Sequence, residues 1–256
     1  MSAVATYLYA VLAHAGPRAP RLAGVRGLPG TGPVRAVAAG RGLWLVVADA
    51  PLGRYGAAPI ERRLGDLGWV STCALAHEAV VERCARLGPL VPAKLFTLFR
   101  SDASALAHVR RRRAAIGRLL RRVAGRQEWA VRLLLEPARA PATATRDGAV
   151  RARTGTAFLL AKRAARERAR TRVDAARREA ARAYAALARA ADAAHREPVP
   201  AAARELVLDA AFLVPARRAR RFRAAARALA RRLAARGLRL TLTGPWPPYT
   251  FVAGPV

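Results

Sequence analysis

The residues of this chain that could do chemistry are few, and their spacing argues against a reaction centre. The four histidines are His14, His77, His108 and His195. None is paired with another at helical i, i+4 spacing and no His-Glu-x-x-His occurs, so no helix offers the two-imidazole face of a zinc site. His77-Glu78 falls in an expected helix without a second ligand, which favours a capping or surface role. Cys73 and Cys84 share that helix, three turns and about 16 Å apart by helical rise, too far for a disulfide. They read as buried thiols of a reducing cytoplasm. No Gly-x-Ser-x-Gly or Cys-x-x-Cys is present, and the glycine-rich run Gly24 to Gly32 lacks the Lys and Ser/Thr of a phosphate-binding loop. The 16 acids sit mostly on arginine-rich helices, where i, i+4 pairing accounts for residues such as Glu167, Asp174 and Glu179. The expectation is a protein that is not an enzyme, with no catalytic residue, no cofactor and no metal.

Charge is the other chemical signal. Lys and Arg number 47 against 16 acids, a net +31, and lysine occurs only at Lys94 and Lys162. A field of that size attracts acidic partners. It raises the alternative of a basic nucleic-acid-binding protein, but specific binding also needs base-contacting or stacking groups. Trp44 and Trp129 fall in expected strands, Trp69 starts a helix, and the arginine-rich helices carry few aromatics. No specific nucleic acid is therefore expected. No run of 18 uncharged apolar residues exists, so no membrane span is expected, and the opening Met1 to Leu12 reads as a strand, not a signal peptide.

These side chains need a frame. Val4 to Leu12 reads as a strand, and Val34–Ala38 with Leu43–Ala48 as a hairpin turning at Gly40-Arg41-Gly42. Pro51 to Ala58 reads as loop. Glu61–Leu67 and Ser71–Leu87 read as helices, the second with Ser71 as a plausible N-cap. Leu90 to Arg100 passes from loop into a short strand. A helix over Ser104–Ala124 can be capped by Ser101-Asp102, and Glu128–Glu136 is a strand. Thr156–His195 has no Gly or Pro and reads as one long helix, with Val173, Ala176, Ala180, Ala183, Leu187, Ala190 and Ala194 forming a heptad seam made mainly of alanine. Leu206–Val214, Ala216–Arg236 and Leu238–Thr243 follow as strand, helix and strand. The fold class is α+β: two small α+β domains, each an antiparallel sheet with helices on one face. Their expected bounds are 1–136 and 155–243, joined by a linker at 137–154 and followed by an extended tail at 244–256.

That tail is the most distinctive stretch. In Gly244-Pro245-Trp246-Pro247-Pro248-Tyr249-Thr250-Phe251, three prolines fix φ and remove backbone donors. The segment is extended and carries large aromatic area. It is either a strap that plugs a groove in the same chain or a ligand for a partner's groove, and aromatic area favours the strap.

The run Leu242 to Val252 resembles the closing signature of the gas vesicle protein GvpL/GvpF family. Further pieces resemble it in order: Tyr7-Leu8-Tyr9, Ala76-His77-Glu78-Ala79-Val80-Val81, Gly88-Pro89-Leu90-Val91-Pro92, Glu128-Trp129-Ala130-Val131-Arg132, Gly155-Thr156-Ala157-Phe158-Leu159 and Ala210-Ala211-Phe212-Leu213-Val214. One departs from the pattern: the family's Arg-Phe-Gly-Thr reads Lys94-Leu95-Phe96-Thr97 here, without its glycine. The resemblance implies a two-domain α+β accessory protein of gas vesicle assembly, located in the cytoplasm at the gas vesicle. Its implied partners are the hydrophobic gas vesicle shell protein and other gas vesicle accessory proteins. As signature or interaction residues it points to Gly244, Pro245, Trp246, Pro247, Pro248, Tyr249 and Phe251, with Trp129, Tyr7 and Tyr9.

Overall fold

The computed structural model describes residues 3–16, 18–137, 155–200, 202–203 and 205–252. The chain forms two compact units, one of Met1–Glu128 with Pro245–Val256 and one of Trp129–Gly244.

The first unit is built on strand β1 (Val4–Ala13), whose eight central residues are all buried. A strand buried along its whole length must be covered on both faces. β1 pairs antiparallel with β3 (Leu43–Pro51), which pairs with β2 (Arg35–Gly40). On its other side β1 meets the short strands β4 (Leu90–Pro92) and β5 (Leu98–Phe99). A bulge between Leu8 and Ala10 turns Tyr9 and Ala10 to the same side. Tyr7, Tyr9, Ala10 and Leu12 therefore join one core and Leu8 and Val11 the opposite one.

The first core is closed by the short helices α1 (Leu52–Tyr55) and α2 (Ala57–Arg63) and by α3 (Leu67–Ala85), which supplies Trp69, Cys73, Val80, Val81 and Cys84. The second is closed by α4 (Asp102–Arg111) and α5 (Arg113–Val123), through Ala105, Val109, Ile116, Leu120 and Val123. The sheet was expected to be covered on one face; here helices lie on both.

The second unit holds β6 (Arg126–Leu135), α6 (Gly155–Ala188), β7 (Ala193–Glu197), β8 (Leu206–Pro215), α7 (Ala219–Ala234) and β9 (Leu238–Trp246). The sheet order is β7-β8-β6-β9, the ferredoxin-like arrangement of a β-α-β-β-α-β chain. Alternate residues of β6 (Trp129, Val131, Leu133, Leu135) and of β8 (Leu208, Ala210, Phe212, Val214) face one core. Ala176, Ala180, Ala183 and Leu187 of α6 cover it, with Phe222, Ala226, Leu229 and Leu233 of α7.

Several elements differ from the sequence expectation. The strand opening at Arg126, assigned above to the first domain, pairs in the second sheet. The linker expected at 137–154 lies, apart from Pro137, outside the described residues. The long helix stops at Ala188, and Ala193–Glu197 is a strand paired with β8. The run Ala-Ala-His-Arg-Glu has no β-branched residue, so its extended form comes from the pairing offered by β8, not from propensity. Ala190 and Ala194 of the proposed seam thus lie beyond the helix. α3 begins four residues before Ser71, capped by the Asp66 carboxylate, which accepts from the Trp69 N–H at 3.0 Å. The helix expected over 104–124 breaks at Arg112 into α4 and α5. Ser101 caps α4 in a reciprocal box with Ser104, as the Ser-Asp pair suggested.

The missing glycine is resolved by strain. Phe96, in the glycine's place, has φ +64°, a left-handed conformation that costs a residue with a Cβ about 1–2 kcal/mol. Its ring stacks on Trp69 with centroids 5.1 Å apart and planes 8° apart. Its N–H donates to the Tyr7 hydroxyl at 3.1 Å. Phe96→Ala keeps the strain and loses the stack, whereas Phe96→Gly loses both. Urea denaturation should rank wild type above Gly and Gly above Ala by about 1 kcal/mol, the reverse of the order in helix or strand interiors. Ala as stable as Gly would contradict a left-handed residue 96.

Candidate functional site

The signature tail belongs to the first unit and is held there by two carboxylates. β9 carries the chain in extended form through Gly244 and Pro245 to Trp246, three residues beyond the expected end. It is the last strand of its sheet, where a proline costs no ladder hydrogen bond. Gly244 has φ +124°, open to glycine but rare for other residues. Pro247 and Pro248 are buried. Tyr249 packs against the α3-side core, and Val252 belongs to the opposite, α4/α5-side core. Phe251 is buried, with the Arg122 guanidinium 5.7 Å from its ring centroid.

The polar contacts fix this path. Glu128, only 5 % exposed at the head of β6, accepts from the Thr250 N–H at 3.0 Å and from its hydroxyl at 2.7 Å. Hydrogen bonds to a carboxylate are stronger than neutral ones. The Tyr249 hydroxyl donates to Glu78 of α3. Burial holds the Glu78 carboxyl above the usual carboxylate range, opposed by the Tyr249 bond. Burial also raises the Tyr249 hydroxyl, reinforced by the carboxylate it faces.

Beneath α3 lies a second polar group. Tyr7 and Tyr9 are fully buried, their rings 4.7 Å apart, with His77 5.8 and 5.5 Å from them. The Tyr7 oxygen accepts from Phe96 and lies 2.8 Å from His77 Nδ1, so its proton goes to the imidazole. Burial lowers His77 to about 4, which keeps it neutral and suited to accept. The Tyr9 oxygen accepts from the Leu28 N–H at 2.9 Å, tying the Gly24–Gly32 loop to the strand. These are bonds that satisfy buried groups. Among the described residues no three His, Cys, Asp or Glu side chains gather as metal ligands, and Cys73 and Cys84 are free and buried.

The structure thus packs Tyr249 against the α3-side core, buries Phe251 beside Arg122 of α5, and puts Tyr7 and Tyr9 inside the α3-side core. It separates two other candidates. Trp129 is a core residue of the second unit, 6.5 Å from Phe222, and Trp246 is 41 % exposed. Sequence reasoning missed Glu78, Glu128 and Thr250. A signal existed for Glu78: no basic residue stands three or four positions from it on α3, so the ion pairing expected for acids on the arginine-rich helices does not apply.

Comparison with known proteins places this arrangement. The architecture is that of a two-unit α+β protein, and solved structures share its fold. The gas vesicle protein GvpF from Anabaena sp. PCC7120 matches with a TM-score of 0.69 at 18 % identity, over 99 % of each chain. GvpF from Microcystis aeruginosa matches at 0.61 and 16 %, over 98 % of this chain and 99 % of that one. In sequence, the family model described as gas vesicle synthesis protein GvpL/GvpF matches residues 5–253. A relative described as gas vesicle protein L, from Streptomyces sp. (strain CB03234), is 32 % identical over 213 residues, 80 % of this chain and 78 % of that one. The chain belongs to the GvpL/GvpF gas vesicle family.

If the tail is part of the first unit's core, its buried end matters more than its most conspicuous aromatic. Phe251→Ala should cost about 3 kcal/mol of stability, and Trp246→Ala clearly less, in urea denaturation of the full chain. A larger loss at Trp246 would contradict this assignment.

Proposed function

We propose that this chain acts in gas vesicle assembly by holding the hydrophobic shell protein and other vesicle proteins while the gas-facing wall is built, at the vesicle in the cytoplasm. The observation that carries the reading is the family match over residues 5–253. A subunit whose assembled face meets gas exposes apolar surface beforehand, and such surface aggregates unless shielded.

The first unit offers one means of shielding. β2 is an end strand of its sheet, six residues long and only partly buried, and an open edge accepts an added strand by main-chain hydrogen bonds. The arginine-rich surface keeps such a complex dispersed and steers acidic partner surfaces. No helix among the described residues is long and apolar enough to cross a membrane.

Co-expression of the shell protein with and without this chain tests the reading. The expected result is a larger soluble fraction of shell protein and its co-purification with the chain. Unchanged solubility together with no association would sink it.

A further inference from the structure

The first half of α6 is a bare arm. Side chains from Phe158 through Thr171 are all exposed, whereas Ala176, Ala180, Ala183 and Leu187 of the same helix are buried. The arm begins with three consecutive large apolar residues, Phe158, Leu159 and Leu160, which are 58, 64 and 61 % exposed. From Phe158 to Arg172 it carries one Lys, five Arg and one Glu. Leu159, Arg163, Arg166 and Arg170 stand at i, i+4, i+7 and i+11, which puts them on one helical face. Among the described residues Arg163, Arg166 and Arg170 have no carboxylate partner, in contrast to Arg177 and Arg182 further along the helix.

We propose that this face is a docking surface for an acidic amphipathic α-helix of another protein. The apolar tip takes the partner's leucine-like side chains, and Arg163, Arg166 and Arg170 pair with carboxylates one to three turns beyond. Arginine suits the task because its planar fork binds carboxylates through two bonds. A second copy of this chain would bring the same positive stripe and be repelled. A nucleic acid would satisfy the arginines but leave the tip uncovered, since phosphates offer no apolar area. A lipid surface needs a broad apolar face opposite the basic one, and that side of the arm is Ala161, Ala164, Arg168 and Arg172. The proposal stands apart from the shell-protein reading, which concerns the first unit.

The test uses the full chain and three fluorescent or sedimentable probes: a designed acidic amphipathic helical peptide, a short DNA duplex, and phosphatidylserine vesicles. Two variants are compared with wild type, Leu159→Ser with Leu160→Ser, and Arg163→Glu with Arg166→Glu and Arg170→Glu. Circular dichroism and thermal melting check that both stay folded, as substitutions on an exposed arm should. The expected result is that each variant weakens peptide binding about tenfold, or about 1.4 kcal/mol, with the arginine variant also reducing its salt dependence. Peptide binding that is absent, or equal in all three proteins, would overturn the proposal. So would DNA or vesicle binding that depends on the leucines more strongly than peptide binding does.

Discussion

One sheet is covered on both faces, and a segment from the far end of the chain reaches both of its cores. That segment is the C-terminal tail, with Tyr249 against the α3-side core and Val252 in the α4/α5-side core. A layered unit is held by area buried between its layers, and the tail adds to both interfaces at once. Its backbone cannot be satisfied by a ladder, because three of its residues are proline. Glu128 supplies the acceptor for the Thr250 N–H, the Pro247 carbonyl accepts from the Tyr249 N–H, and Glu78 accepts from the Tyr249 hydroxyl. The stretch that resembles the family's closing signature is therefore also a structural part. The chain leaves the first unit after Glu128 and returns at Pro245, so the second unit is an insertion into the first.

The chemistry of the chain follows the same economy. Among the described residues, the buried polar groups beside β1 bond mainly to one another: Tyr7 with His77 and Phe96, and Tyr9 with Leu28. Nothing in that arrangement positions a nucleophile, a base and an open space together. The arginines of α6 and α7 point outward, on helices whose inward faces are mainly alanine, leucine and phenylalanine.

Much of this was legible in the sequence, for identifiable reasons. Proline-rich aromatic runs have few solutions, so the tail announced itself. Glycine and proline marked the ends of α3 and α5, and alternation marked β6 and β9. What stayed hidden depended on distant partners. Ala193–Glu197 has helix-forming composition and is a strand only because β8 lies beside it. Tyr9 and Ala10 gave no sign that a bulge would turn them to the same core, since a run of apolar residues carries no parity. Glu128 looked like a strand's polar first residue until Thr250, 122 positions later, was placed beside it. Phe96 looked like a lost turn and is a turn held by stacking.

The central claim is that the family-signature tail is an integral part of the first unit and not a free ligand. Hydrogen exchange of the Thr250 amide in the full-length chain tests it most directly. The account predicts exchange as slow as that of the Leu8 amide on β1, because both open only when the unit does. Exchange of Thr250 at the rate of an unstructured peptide, with Leu8 still protected, would contradict it.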